Sequence, residues 1–274
     1  PPNETGALSI LQYAYNAEGD IVQARTMVGA GQTRTVNFQY SNGNLIESRD
    51  DLGNTIRRTY NAADQIETET RYLVADPDGA GPLQPSGAQT TRYLYNAAQH
   101  LRFVITPEGR VTENRYNANG QVESTIRHAG TLYTNTTYTE SALATWAGAL
   151  TTKVLGERVD FTYDLRGQLA TSKRYTSLTS TGTGNATGSA TTTYVYNAAG
   201  QLLQAIDPRN ATYSTTYTYD GMGRVLTTTD ATGRISSSAY DDAQNRIVQT
   251  SDQVGTAYRL QTTSVYSKAG DLVS

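Results

Sequence analysis

The sequence predicts an all-β protein built from tandem antiparallel β-hairpin repeats. The first observation is a phrase that occurs ten times: an aromatic residue, usually Asn or Asp, two variable residues, usually Gly, a polar residue and an aliphatic residue. The second is composition, because 20 Tyr, 24 Gly and abundant Thr suit half-buried strands joined by tight turns. The third is alternation, in which aromatic residues two apart share one face of a strand.

Each phrase begins with a tyrosine, which we call the anchor. Nine of the ten anchors have an aliphatic residue six positions later, whereas Tyr240 has Arg246 there, with Ile247 beside it. The basic repeat is about 21 residues long, and longer gaps contain insertions. The anchors are Tyr15, Tyr40, Tyr60, Tyr95, Tyr116, Tyr163, Tyr196, Tyr219, Tyr240 and Tyr266.

The phrase predicts a hairpin loop made of a type I turn that a residue with positive φ closes. Asn or Asp opens the turn with its side chain, and Gly closes it without steric cost. We expect Asn44 and Asp64 to close two turns, and we expect Gln99 and Gln244 to mark turns of a different shape. The glycines at the closing position are Gly19, Gly120, Gly167, Gly200, Gly223 and Gly270.

A second turn, written Asp-x-x-Gly or nearly so, alternates with the first. Gly53, Gly109 and Gly233 close its clearest examples, each seven residues before the next anchor. That distance leaves room for one short strand. One repeat is therefore two strands, with an aromatic and aliphatic ladder on one face and Thr, Arg, Gln and Ser on the other.

Three insertions interrupt the repeats, and we expect one continuous array over residues 1–274 that contains them. Residues 76–88 form a loop rich in turn residues. Residues 139–152 favour a short helix capped by Ser141 or Thr139. Residues 176–190 are typical of a flexible Thr/Gly tract.

Composition removes several classes of function. A net charge of −3 and a pI near 5.5 provide no basic stripe for phosphates, so we expect no nucleic-acid partner. The absence of cysteine excludes a disulfide framework and a thiolate nucleophile. No run of about 20 apolar residues predicts a membrane span. Because the chain starts at Pro1 without a charged and apolar leader, we interpret it as a fragment of a larger protein.

The phrase resembles the repeat that names the YD-repeat or RHS family, roughly Tyr-Asp-x-x-Gly-Arg-Leu. Residues 219–225 and 163–169 match it closely, and the resemblance covers nearly the whole chain. It implies a long antiparallel sheet that coils as a spiral strip, as in toxin-complex B and C cocoons, Rhs toxins and teneurins. Such shells enclose a toxin or an internal segment.

The resemblance has two departures. The self-cleaving core region of the family is missing, and residues 76–79 are only a partial echo of it, so we assign no protease residues. Ten repeats are also too few for a complete cocoon, so we expect an open arc or short spiral. The alternative fold is a β-propeller, because two units approximate a blade of roughly 40 residues.

The residues that could form ligand sites are better explained by structural roles in the repeats. The tyrosines could stack on sugar rings, but their regular spacing favours cross-strand packing. His100 and His128 lack partners at metal-ligand spacing, which favours solvated positions. The segment from Asp76 to Gly87 lacks two ligands of a calcium loop. The acidic pairs Asp50/Asp51 and Asp241/Asp242 lie at turn-opening positions rather than in an acid–base pair.

We therefore predict no catalytic residue, no metal, no cofactor and no enzyme activity. The favoured function is a structural YD-repeat shell segment of a bacterial Rhs-like secreted or effector protein, which scaffolds or encloses a toxin or other cargo. The alternative is a carbohydrate- or protein-binding module of an adhesin-like protein at the bacterial cell surface. The expected partners are the other YD repeats of its parent chain, an enclosed toxin domain, a glycan or protein ligand, and another copy through sheet edges.

Overall fold

The computed structural model describes residues 10–27, 32–76, 78, 81–210, 212–252, 259–267 and 272–273. Gly270 and the predicted turn from Asp252 to Gly255 lie wholly or partly outside these residues. So do three residues of the first insertion, Pro77, Gly79 and Ala80.

Within the described residues, nineteen antiparallel strands form one open sheet, which confirms the predicted all-β fold. The β-propeller alternative is wrong, because that fold divides its strands among separate blades. The strands are β1 Ile10–Tyr15, β2 Ile21–Met27, β3 Thr33–Ser41, β4 Asn44–Asp50, β5 Thr55–Tyr60, β6 Ile66–Val74, β7 Ser86–Tyr95, β8 Leu101–Ile105, β9 Val111–Tyr116, β10 Val122–His128, β11 Glu157–Tyr163, β12 Leu169–Arg174, β13 Ala190–Tyr196, β14 Leu202–Ile206, β15 Ser214–Tyr219, β16 Val225–Thr229, β17 Ile235–Asp241, β18 Arg246–Asp252 and β19 Arg259–Val265.

The chain divides into two compact units, and β10 contributes to both. The first unit comprises residues 1–115 and 126–155, and the second comprises residues 116–125 and 156–274. Within each unit consecutive strands pair as hairpins, as the two-strand repeat predicts. The described part has no helix long and apolar enough to cross a membrane.

A β-bulge precedes the anchor tyrosine in seven hairpins. In β5 and β6, for example, Thr59 pairs with Thr68 but Tyr60 pairs with Ile66, so the register shifts by one residue. A bulge of this kind adds twist and turns the anchor relative to the residues before it. The shifts fall immediately before Tyr15, Tyr40, Tyr60, Tyr95, Tyr163, Tyr196 and Tyr219.

The first unit contains a hydrophobic core beside its second insertion. Helix α1, Glu140–Ala149, begins after Thr139, whose hydroxyl accepts a hydrogen bond from the N–H of Ala142 at 3.2 Å. Thr139, and not Ser141, is therefore the N-cap. The buried members of the core are Phe103, Ile105, Val111, Tyr133 and Leu143, with Trp146 packed against them.

The insertions differ in extent from the predicted ranges. Residues 86–88 belong to β7, because the strand extends back to Ser86. The second insertion occupies all residues between β10 and β11. In the third, which we expected to be flexible, Leu178 pairs with Gly184 in a β-bridge and is buried. The hydroxyl of Thr179 accepts a hydrogen bond from the N–H of Thr183, which closes this small turn.

Candidate functional site

The anchor tyrosines join neighbouring repeats through their hydroxyl groups. In seven repeats the hydroxyl donates a hydrogen bond of 2.7–3.1 Å to the backbone carbonyl of the aliphatic residue in the preceding phrase. The hydroxyl thus reaches a backbone group that belongs to another hairpin. The pairs are Tyr40 with Ile21, Tyr60 with Leu45, Tyr95 with Ile66, Tyr163 with Val122, Tyr196 with Leu169, Tyr219 with Leu202 and Tyr240 with Val225.

This ladder of hydroxyl bonds explains two parts of the repeat at once. The anchor is tyrosine and not phenylalanine because its hydroxyl satisfies a carbonyl. In six of the seven bonds, the aliphatic residue six positions after one anchor supplies that carbonyl to a later anchor. Tyr60 instead binds the carbonyl of Leu45, which lies five positions after Tyr40. Burial raises the pKa of Tyr95 and of Tyr196 above its usual range, which keeps the hydroxyl as a hydrogen-bond donor.

Tyr15, Tyr116 and Tyr266 are the other three anchors. Tyr15 is 59% exposed, and its ring centroid lies 6.4 Å from that of Tyr13. Tyr116 is half-buried at the end of β9. Tyr266 is half-buried, and its backbone N–H donates to the carbonyl of Asn245 at 2.8 Å.

The residue after the anchor organises the turn. The side-chain oxygen of Asn61 accepts hydrogen bonds from the N–H groups of Ala63 and Gln65 at 2.9 and 3.0 Å. Asp164 makes the same two bonds to Arg166 and Gln168, each of 2.9 Å. These bonds stabilise the bend that Asn or Asp was predicted to open.

The closing residues have positive φ at Gly19, Gly120, Gly167, Gly200 and Gly223. Asp64 and Gln99 also have positive φ, at 57° and 62°. The expectation that the Gln99 turn would differ is wrong, because Asn96 accepts from the N–H groups of Ala98 and His100 as in the other turns.

Two turns depart from the pattern. Asn44 was expected to close the first, but Asn42 and Gly43 hold the positive φ angles of 51° and 78°, and Asn44 is already in β4. Two such residues form a tight two-residue hairpin loop. The turn after Tyr240 is longer: Asp241 pairs with Arg246, and Asn245 rather than Gln244 has positive φ. This register explains why Ile247, and not Arg246, lies opposite Tyr240.

A second ladder joins successive turns through glutamine side chains. The amide nitrogen of Gln65 donates to the carbonyl of Gln99 at 2.9 Å. Gln121 and Gln168 likewise donate to the carbonyls of Gly167 and Gly200, at 2.9 and 2.8 Å. The polar residue of the phrase therefore binds the closing residue of the next turn.

The turn-opening residue and the polar residue are chemically matched. The side-chain amide of Asn61 donates to the side-chain oxygen of Gln65 at 3.1 Å, and the same bond joins Asn117 to Gln121 and Asn197 to Gln201. In the phrase that starts at Tyr219, Asp220 instead binds Arg224 at 2.7 Å, and Arg224 also binds Asp242. The phrase that starts at Tyr163 combines Asp164 with Gln168. The Gln168 side-chain oxygen is buried and has no hydrogen-bond partner within the described part of the chain, because a carboxylate cannot donate.

Insertions cover two of the turns of the second type, the Asp-x-x-Gly turns. The N–H of Asp76 donates to the carbonyl of Gly53 at 2.9 Å, and the N–H of Tyr133 donates to that of Gly109 at 2.8 Å. A Cβ atom at Gly53 or Gly109 would lie 2.1 or 2.6 Å from a backbone oxygen of the covering segment. Gly233 has the same positive φ but no such neighbour, since nothing lies within 4 Å.

The first unit also contains a buried charged cluster that sequence reasoning missed. Glu113 is 1% exposed and lies 2.7 Å from Arg102, 2.8 Å from Arg115 and 2.8 Å from the His128 ring. Burial acts to raise the Glu113 pKa, but the hydrogen bonds from His128 and Arg115 and the charge of Arg102 lower it to about 2. The expected solvated position of His128 is wrong, because this ring is buried and its centroid lies 5.6 Å from that of Trp146. Nothing in the local sequence signals the cluster, because its members come from three strands, with only Glu113 and Arg115 on the same one.

The acidic groups considered as ligands have structural partners. Asp76 is buried and binds Arg49 at 3.0 Å, and Asp50 accepts from the N–H groups of Leu52 and Asn54. Asp241 and Asp242 pair with Arg246 and Arg224. The described residues contain no group of three or more His, Cys, Asp or Glu side chains that could hold a metal ion.

The chain is similar to a known protein family and to several solved structures. The family model described as Teneurin YD-shell matches residues 83–274. No curated protein sequence matches significantly. Among solved structures, the TcdB2-TccC3-Cdc42 crystal structure is 13% identical, with a TM-score of 0.46, and covers 96% of this chain. The TcdB2-TccC3 crystal structure is 12% identical, with a TM-score of 0.47 and the same coverage. The chain spans about 15% of the length of each. Since the family model covers well over half of the chain, the protein belongs to the teneurin YD-shell family.

Proposed function

We propose that this chain is a wall segment of a shell in a longer bacterial secreted or effector protein, and that the wall encloses or scaffolds a toxin or other cargo. The observation that carries the proposal is the ladder of anchor hydroxyls. Each described bond ties one hairpin to its predecessor, so the repeats support one another without a large central core. Such a sheet extends by adding further repeats of the same kind.

The proposed wall performs no chemistry. The recurring chemical features of the phrase, namely the hydroxyl, the turn carboxamide and the glutamine amide, are all used in bonds within the sheet. The charged cluster around Glu113 is likewise internally paired. We retain the prediction of a single array over residues 1–274 as part of this proposal, with the remaining YD repeats of the parent chain as its principal partner.

The enclosure is tested by limited proteolysis of the full-length protein that contains this chain. We expect the cargo segment to resist protease while the wall is intact. Weakening the wall with Tyr163→Phe and Tyr219→Phe together should expose the cargo to cleavage. Cleavage of the cargo at equal rates before and after this double substitution would contradict a shell function.

Self-association is a second part of the proposal. An open sheet has two edge strands with unpaired backbone groups, and such edges pair with other chains. We expect the apparent mass of the isolated chain to rise with concentration in static light scattering. A mass that stays at 29.7 kDa up to high concentration would overturn this part alone.

A binding function is the second candidate. The seven anchors whose hydroxyls are bonded within the sheet are unsuited to it. A cavity beside the second insertion has a different character, because its lining combines tyrosine rings with polar and charged groups, which favours a saccharide ligand. Both functions require an extracellular location, either secreted or at the bacterial cell surface.

A further inference from the structure

An open cavity of about 500 Å³ lies in the first unit, between β7, the turn from Thr106 to Gly109 and the segment from Tyr133 to Tyr138. This volume lies within the range of about 300–1,000 Å³ that small-molecule sites occupy. The lining combines tyrosine rings with an arginine, an amide, hydroxyls and one carboxylate. It is therefore much more polar than the hydrophobic core on the other side of Tyr133.

Arg92 is the main charged donor in this cavity. Its guanidinium carbon lies 4.0 Å from the centre of the Tyr138 ring. Within the described residues it makes no ion pair, whereas Arg57 and Arg58 on β5 bind Glu47 and Glu69. Stacking restrains the plane of a guanidinium but leaves the N–H groups along its edge free to donate. A planar carboxylate is the group that this edge recognises best.

The wall behind Arg92 is held in place by the protein core. The Tyr138 and Tyr133 ring centroids are 5.9 Å apart, and Tyr133 packs edge-on against Trp146 at 5.4 Å. The backbone of Tyr133 is bonded to Gly109, and its hydroxyl donates to the carbonyl of Thr137. A site that is ordered before its ligand arrives loses little entropy on binding.

The remaining polar groups suit hydroxyl-bearing ligands. Glu108 accepts a hydrogen bond of 2.7 Å from the Thr106 hydroxyl, which lowers the pKa of Glu108 and keeps it ionised. Its other oxygen can accept from a ligand hydroxyl. The side chains of Gln89 and Thr134 also line the cavity and make no hydrogen bond to the described part of the protein. They provide both donors and acceptors.

We propose that this cavity binds an acidic saccharide, with the ring carboxylate on Arg92 and the ring hydroxyls on Glu108, Gln89 and Thr134. A simple anion would bind Arg92 alone and leave the groups that can bind hydroxyls, on Glu108, Gln89 and Thr134, without a partner. A neutral sugar would leave the Arg92 donors unpaired. A uronic acid supplies one carboxylate and several hydroxyls on a single ring, which matches the lining.

The test begins with an array of oligosaccharides that includes galacturonate, glucuronate and sialic acid alongside neutral sugars. The best acidic saccharide is then titrated calorimetrically against the intact chain, together with its methyl ester, which removes the charge and keeps the hydroxyls. We expect at least tenfold weaker binding of the ester and a loss of affinity as salt increases. If no acidic saccharide is retained, or if the ester binds equally well, the proposal is wrong.

Substitutions locate the binding in this cavity. Arg92→Ala and Arg92→Lys should each weaken the titrated saccharide at least tenfold, since lysine keeps the charge but lacks the planar fork. Arg25→Ala, at an exposed position of β2 outside the cavity, should leave the affinity unchanged. Circular dichroism of each variant checks that it folds. Unchanged binding by folded Arg92→Ala would overturn the site but not the proposed shell function, which requires no saccharide.

Discussion

The hydroxyl of Tyr163 donates a hydrogen bond of 2.8 Å to the backbone carbonyl of Val122, 41 residues earlier in the chain. The same bond joins Tyr219 to Leu202 at 2.7 Å across only 17 residues. A long insertion therefore leaves the junction between hairpins unchanged. The acceptor of the anchor hydroxyl is therefore set by its position in the sheet and not by its separation along the chain.

Removing the Tyr163 hydroxyl tests the energetic value of this junction. We expect Tyr163→Phe to lower the free energy of unfolding by about 1–3 kcal/mol, because the carbonyl of Val122 loses its partner inside the sheet. The measurement is urea denaturation followed by circular dichroism. Tyr15→Phe is the matched control, since Tyr15 is largely exposed, and it should change stability by less than about 0.5 kcal/mol. Equal effects of the two substitutions would show that the ladder bond contributes nothing.

Asp164→Asn should stabilise the protein. The new amide can donate to the buried Gln168 oxygen, as Asn61 does to Gln65. The 3.4 Å ion pair with Arg166 that is lost is exposed and contributes little, so we expect a gain of about 0.5–1.5 kcal/mol. Asp220→Asn is the control with the opposite sign, because Asp220 binds Arg224 at 2.7 Å and would lose that ion pair. The measurement is the midpoint of urea denaturation for both variants. A destabilised Asp164→Asn would contradict the chemical match between the turn-opening residue and the polar residue.

Gly109→Ala should destabilise the first unit more than Gly233→Ala destabilises the second. Both glycines have φ near +80°, so both substitutions force an alanine into a strained backbone conformation. Only Gly109 lies against the covering backbone, at Tyr133, where a Cβ atom would lie 2.6 Å from an oxygen. We expect Gly233→Ala to cost about 1 kcal/mol and Gly109→Ala to cost clearly more. Hydrogen exchange of residues 129–139 should also quicken in Gly109→Ala alone.

The buried Glu113 predicts a defined loss of stability in acid. Its pKa in the folded protein is about 2, below the ordinary value of 4.5. A carboxyl with a lowered folded pKa stabilises the fold at pH values above its unfolded pKa, and this contribution disappears as the pH falls from about 4.5 to about 2. We expect the stability difference between the wild type and Glu113→Gln, on the order of 3 kcal/mol at pH 6, to shrink across that window.

Asp207 provides the control for this measurement. Hydrogen bonds from Arg209 also lower the pKa of Asp207 to about 2, but this pair lies at the surface. Added salt should therefore remove most of the pH-dependent difference between the wild type and Asp207→Asn. The stability difference between the wild type and Glu113→Gln should persist in roughly 1 M NaCl, because the Glu113 carboxylate is buried and dissolved ions do not reach it. If salt removes it as well, Glu113 is not buried in solution.

Local patterns determined the hairpins, and the reason is that their information lies within a few residues. Asn61 bonds to backbone groups two and four positions later, and Asp64 provides the positive φ. Errors arose where a neighbouring strand decided the outcome. Gln99 closes a standard turn with positive φ although it is not glycine, and its carbonyl accepts a hydrogen bond from Gln65 of another turn. His128 was assigned to solvent because its partner Glu113 lies in a different strand.

The all-β class, the two-strand repeat, the tyrosine anchors and the boundaries of most turns can be predicted from the sequence alone. These follow from residue-by-residue requirements: alternation for strands, Asn or Asp to open a turn, and Gly where φ is positive. The partners of the anchor hydroxyls, the turns that the insertions cover, and the buried cluster of Arg102, Glu113 and His128 depend on how the strands assemble. The physical reason is that these contacts join residues from different strands, and pairing across a sheet is settled by register and packing, which no local stretch of sequence contains.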